Sequence, residues 1–179
     1  MKIALIMDPG TRKMVFNEKC LKRLANSGEV VVNDGGTDFD SVAPLVKDAE
    51  VIVTSWGNRP IDEKYLALCP NLKILIHAAG SVKPVVSDAL WEKNVRVTAS
   101  ANVLSEGVSE TALGFTISAS KNFYNLNANL HNGLWAEGKE NIRELYDLTI
   151  GVVGAGWAGR HYIQLMHAFD VDIVVYDPF

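Results

Sequence analysis

The sequence predicts an α/β protein: a parallel sheet with helices between its strands, followed by the opening of a second α/β unit. Three observations predict it. Over residues 2–98 short apolar runs alternate with stretches of helical spacing. After Thr98 that alternation stops and a long helical stretch takes over. Near the end, Gly154-Ala155-Gly156-Trp157-Ala158-Gly159 lies between an apolar run and another helical stretch.

Residues 2–7 (KIALIM) suit a strand buried on both faces. Residues 14–25 carry apolar side chains at helical spacing and stop at Asn26-Ser27-Gly28. A second strand is expected over 29–32, a short helix over 39–49 and a third strand over 51–54. Residues 62–68 read as a helix with Asp62 as N-cap. A fourth strand over 73–77 runs into Ala78-Ala79-Gly80-Ser81, a helix over 87–93 stops at Asn94, and a fifth strand covers 95–98. Strands alternating with helices imply an open parallel sheet with right-handed crossovers, whose sites lie beyond the carboxyl ends of the strands. The loops 8–11, 33–37, 55–59 and 78–82 are therefore the candidates for function. Residues 102–121 form the longest helical candidate, with Ala112, Leu113, Phe115, Thr116, Ile117 and Ala119 as a face that a second helix could approach closely. Residues 123–135 are less regular.

Composition narrows the classes. Hydrophobic residues make up 48% and charged residues 21%, ordinary for a globular protein, and 179 residues suffice for a real core. Net charge is −4 and no basic patch with interleaved aromatics occurs, which argues against nucleic acid as a partner. The apolar run at the start is cut by Asp8-Pro9-Gly10, too short for a secretory signal, and no segment reaches the roughly 18 apolar residues of a membrane span. Cys20 and Cys69 lack metal-ligand spacing and read as reduced thiols of a cytoplasmic protein.

The glycine motif fits G-x-G-x-x-G in its full context. Gly154 permits the turn leaving the strand, Gly156 lets backbone approach a pyrophosphate, and Gly159 lets the helix lie close to the sheet. The amides of Trp157 and Ala158 open the helix, where unpaired N–H groups and the positive end of the helix dipole favour an anion. The next strand, 172–176, ends in Asp177, within the spacing expected of an acid that binds a ribose diol. A carboxylate there repels a 2′-phosphate, so NAD is favoured over NADP. A methyl-donor nucleotide, or a glycine turn that binds nothing, are the other readings of these residues.

Three stretches in order, NLKILIHAAGSV, NVRVTASANVLSEGVSETALGFTISASKN and LTIGVVGAGWAGRHYIQLMHAFDVDIVVYDPF, resemble the D-isomer-specific 2-hydroxyacid dehydrogenases, a group that includes phosphoglycerate dehydrogenase. The resemblance implies a flavodoxin-like substrate domain over 1–99 and the beginning of a Rossmann NAD-binding domain over 100–179. It implies an NAD-dependent oxidoreductase acting on the CH–OH group of a small D-2-hydroxy acid, or reducing the 2-keto acid. The substrate carboxylate would be gripped by the backbone of Ala79, Gly80 and Ser81, with Ser81 also near the nicotinamide. Trp157 and Ala158 would contact the pyrophosphate and Asp177 the ribose. The long helix, bearing Val108-Ser109-Glu110, would serve a homodimer. Val82, Pro84 and Trp157 depart from the family pattern, the last standing where arginine is common.

Hydride transfer also needs a proton-exchanging group and a cation. The family takes its arginine, acid and histidine from later parts of the cofactor domain. No catalytic residue is therefore assigned here, and the expectation is an amino-terminal portion that is inactive alone. His131, His161 and His167 read as surface or satisfied residues, and Arg59 as a solvated loop charge. His77 stands out only by its place at a strand end beside the glycine loop. A non-enzymatic NAD-binding or regulatory module is the alternative.

Overall fold

The structure, a computed structural model, describes residues 1–179, the side chain of Asp147 excepted. It divides into two compact units, Met1–Ala101 and Asn102–Phe179.

The first unit is built on β1 (Lys2–Leu5), β2 (Glu29–Val32), β3 (Val51–Thr54), β4 (Ile74–His77) and β5 (Arg96–Ala99). All are parallel, in the order β2-β1-β3-β4-β5, which is the flavodoxin-like order. Alternate residues supply two cores, as the period of a strand requires. Ala4, Ile6, Ile52 and Leu75 join Val42, Val46, Tyr65, Leu66 and Leu90 on one face. Ile3, Leu5, Val51 and Val53 join Phe16, Leu21 and Leu24 on the other.

The helices of this unit are set by their caps. The expected single helix over 14–25 is two: α1 (Pro9–Val15) and α2 (Glu18–Ala25). Asp8 caps the first, accepting from the amides of Gly10 and Thr11, with Pro9 pre-set for the first turn. Residues 8–11 are thus a helix start and not a free loop. Phe16 is extended, with φ −118° and ψ 118°, and Asn17 caps the second helix by accepting from Cys20 N–H. Helical spacing ran through this break because Phe16, Leu21 and Leu24 still reach one core. Asp38, Asp62 and Ser87 cap α3 (Phe39–Val46), α4 (Glu63–Leu68) and α5 (Asp88–Glu92). Asn94 ends the last in the left-handed region, at φ 54°, which asparagine tolerates.

The second unit holds α6 (Ala101–Ser120), α7 (Phe123–His131), β6 (Thr149–Val153), α8 (Trp157–Met166) and β7 (Asp172–Tyr176), with β6 and β7 paired in parallel. The stretch after residue 122 is more regular than its sequence suggests, because Asn122 and Asn129 fix the following loop: their side-chain amides donate to the carbonyls of Gly138 and Glu137 at 2.9 Å each. The face of α6 that meets α8 differs in part from the expected set, sharing Thr116 with it. It is a stripe of small hydroxyls: Ser109 donates to Ala158 C=O at 2.9 Å, and Thr116 shares a hydrogen bond with the Tyr162 hydroxyl at 2.7 Å. Phe115, assigned to the same small-residue face, is exposed instead. No helix among the described residues is long and apolar enough to cross a membrane.

Candidate functional site: two backbone cradles

Each unit presents a row of unclaimed amides at the carboxyl end of a parallel strand. In the first unit the row follows β4. Ala78 N–H donates to Thr54 C=O at 2.8 Å, the Ser55 hydroxyl donates to Ala78 C=O at 3.0 Å, and Ser100 N–H donates to Ala79 C=O at 3.0 Å. The last two tie the loop down through its carbonyls. The N–H groups of Ala79, Gly80 and Ser81 donate to no protein acceptor among the described residues. Ala79 is buried and Ser81 exposed, so the row runs from the core to the surface. Consecutive free amides of this kind form a concavity for an anion.

Supports come from the neighbouring loop. Asn58 is buried; its side-chain carbonyl accepts from Ser55 N–H at 2.8 Å and its amide donates to Ile6 C=O at 2.9 Å. That bracing presents Trp56, which is half exposed, beside the Ser55 contact to Ala78. Arg59, in the same loop, is exposed.

His77 does not join this row. It is 3% exposed, its Nδ1 shares a hydrogen bond with Thr54 Oγ1 at 2.9 Å, and burial pushes its pKa down, holding it neutral. His161 is likewise engaged. The Ser105 hydroxyl donates to Asn102 C=O at 2.5 Å, so it accepts from His161, whose Nδ1 lies at 3.0 Å and carries the proton. His131 Nδ1 bonds Asn127 C=O at 2.8 Å, and His167 is exposed. Among the described residues no group of three or more metal-ligating side chains is placed to hold an ion.

In the second unit the row lies at the start of α8. Gly154 has φ +96°, a conformation that glycine adopts without strain. A Cβ on Gly159 would stand 1.9 Å from the Gly154 carbonyl oxygen, so the helix rests on the turn only because that residue lacks one. A Cβ on Gly156 would meet nothing within 4 Å; the space in front of the turn is open. Gly156 is the N-cap and offers no side-chain cap, and the amides of Trp157, Ala158 and Gly159 have no protein acceptor among the described residues. Open space in front of uncapped amides fits the pyrophosphate of a dinucleotide.

Asp177 stands at the tip of β7. Its Oδ1 accepts from Phe179 N–H at 3.0 Å and its Oδ2 from Ala155 N–H at 2.5 Å. Those two amides, in that order, lower its pKa, and the nearby Arg160 adds to the effect. The acid is therefore ionised and already fastened to the turn, with lone pairs left for a sugar hydroxyl.

Residues 113–179 match the family model described as D-isomer specific 2-hydroxyacid dehydrogenase, NAD binding domain. Over that stretch the chain is similar to the NAD-binding domain of that family. The cofactor of the domain is NAD, and the cradle fits it. D-3-phosphoglycerate dehydrogenase of Methanocaldococcus jannaschii is 29% identical over 175 residues, covering 98% of this chain and 32% of the relative. The enzyme of the same name from Mycobacterium bovis is 28% identical over 144 residues, 80% of this chain and 27% of the relative. The chain thus spans about a third or less of the length of these curated relatives. Among solved structures, D-2-hydroxyisocaproate dehydrogenase superposes with a TM-score of 0.78 at 21% identity, over 100% of this chain and 54% of that one. At that identity the likeness speaks for the fold.

Sequence reasoning missed Arg160. Its Nε donates to Ala155 C=O at 2.6 Å. The signal was available: it directly follows the third glycine, and helical side chains lean back toward the N-terminus.

Proposed function

We propose that this chain supplies the acid-holding unit and the opening of the NAD-holding unit of an oxidoreductase that interconverts a small D-2-hydroxy acid and its 2-keto acid. The observation that carries the reading is the pair of amide rows, one at residues 79–81 and one at 157–159, each beyond the carboxyl end of a parallel strand. A carboxylate matches the first, where Ala79, Gly80 and Ser81 each offer one N–H. A diphosphate matches the second, where the helix dipole adds to the three donors. Asp177 accepts from the adjacent ribose and disfavours a phosphate on it.

NAD supplies the hydride acceptor. The residues described here orient and hold. Backbone donors fix the substrate's acid group without a titrating side chain, so its grip is independent of pH near neutrality. Ser81, exposed at the end of its row, is the side chain assigned to the nicotinamide side. The proton exchange is assigned to none of the four histidines, since His77 and His161 are held by Thr54 and Ser105 and His131 and His167 lie exposed. A second copy of the chain is the partner assigned to α6, whose Leu104, Val108 and Phe115 are exposed.

Gly156→Val tests the cofactor half. The new side chain would enter open space, so the melting temperature is expected to stay within a degree or two while calorimetric NAD binding is lost. Undiminished NAD binding by this variant refutes the placement. Gly80→Val, titrated with a panel of small 2-keto acids, tests the substrate half in the same manner; an unchanged affinity for the acid removes that row from the site.

A further inference from the structure

Two side chains of opposite charge hold one residue of the glycine turn. Asp177 Oδ2 accepts from Ala155 N–H at 2.5 Å, and Arg160 Nε donates to Ala155 C=O at 2.6 Å. Both ionic groups are thereby fixed within hydrogen-bond reach of the same peptide segment. With Nε anchored, the two terminal nitrogens of Arg160 donate to no protein acceptor among the described residues, and the side chain is exposed. A guanidinium held by one nitrogen with its outer fork free is preorganised for bidentate contact with a phosphate. The Asp177 carboxylate is near enough for the guanidinium to help lower its pKa, without a direct ion pair between them among the described residues.

We propose that Arg160 and Asp177 together set the choice between NAD and NADP: Asp177 excludes a 2′-phosphate and also neutralises an arginine that would otherwise bind one. The inference rests on the NAD reading of this turn and deepens it. Specificity is then a property of the pair. Removing the acid alone should not merely relax the preference but expose a ready phosphate site. The competing account is that Arg160 only staples the turn, in which case it would affect both dinucleotides alike.

The test is a double-mutant cycle read by calorimetric affinities for NAD and NADP, with 5′-AMP and 2′,5′-ADP as fragment probes. The full chain is used as wild type, Asp177→Asn, Arg160→Ala and the double variant. Asparagine keeps an acceptor for Ala155 N–H. Asp177→Asn is expected to shift the NADP-to-NAD affinity ratio toward NADP by at least about tenfold, the size of one charge-assisted hydrogen bond. Adding Arg160→Ala should abolish that gain while changing NAD affinity less than about threefold, and Arg160→Ala alone should leave the ratio nearly unchanged. Should Arg160→Ala unsettle the turn, Asp177→Asn with Arg160→Lys makes the same test, because a point charge cannot form the fork and NADP affinity should again drop. Equal NADP affinity with and without Arg160, in the Asp177→Asn background, overturns the proposal while leaving NAD binding intact. A wild-type chain that binds neither dinucleotide at millimolar concentration overturns the NAD reading and the proposal together.

Discussion

Strands β3 and β7 are nearly alike in composition and opposite in environment. VIVT is buried at all four positions, whereas DIVVY is exposed at every position except Ile173. β3 pairs with β1 and β4 and has core clusters on both faces. β7 pairs with β6 alone. On the open face Val153, Val174 and Tyr176 are 84%, 60% and 65% exposed. An apolar run is thus enough to specify a strand, but its contribution to stability depends on what lies above and below it. The two amide cradles inherit the contrast. The row at 79–81 is braced by a five-stranded sheet packed on both faces and the row at 157–159 by one strand pair and one helix.

The contrast can be broken most directly in the core. Leu75, fully buried, should cost about 2–5 kcal/mol when changed to Ala, while Val174→Ala should stay within about 0.5 kcal/mol, both measured by chemical denaturation. Equal losses at the two sites would erase the distinction between the units. Gly159→Ala should cost about 1–3 kcal/mol, because its Cβ meets backbone at 1.9 Å and backbone cannot step aside. That loss should appear in the melting of the second unit only, and NAD binding should fall with it; a neutral result would mean that helix and turn are not in contact.

A smaller effect concerns His77. Its folded pKa lies below its ordinary value because it is buried. Above about pH 6.5 the imidazole is neutral in both folded and unfolded chains and contributes no pH dependence. As pH falls through that value the unfolded chain takes up the proton first, so stability drops until the folded pKa is reached. Melting temperature should therefore decline from pH 7 toward 5, and His77→Asn should flatten that slope. An unaltered slope would remove His77 as its source; Asp8 and Asp38, whose pKa values are lowered by Thr11 and Ser41, lose their contribution only below about pH 4.

Much of this was legible in the residues. Asp62 and Ser87 announced their helices because a side-chain oxygen ahead of an apolar pattern satisfies the first free amides. The strand, glycine turn and acid of the cofactor cradle could be placed because each has a local conformational reason. The break at Phe16 and Asn17 was not legible, since both helices feed one core and the apolar spacing runs on through the gap. The use of α6 was legible only in part: Thr116, in the expected face, does meet α8, whereas Ser109 was not in that set and Phe115 is exposed.

By itself the sequence determined the parallel α/β pattern, the glycine turn and the acid at its side. These follow from short-range rules: strand period, helix caps, and the backbone freedom of a residue without Cβ. Only the tertiary structure decided that His77 is a silent core residue, that the amides of 79–81 are left unpaired, and that Arg160 and Asp177 grip the two ends of Ala155. Apart from the Arg160 bond, which spans only five residues, those depend on which distant segments meet, and a hydrogen bond between residues far apart leaves no period in the chain.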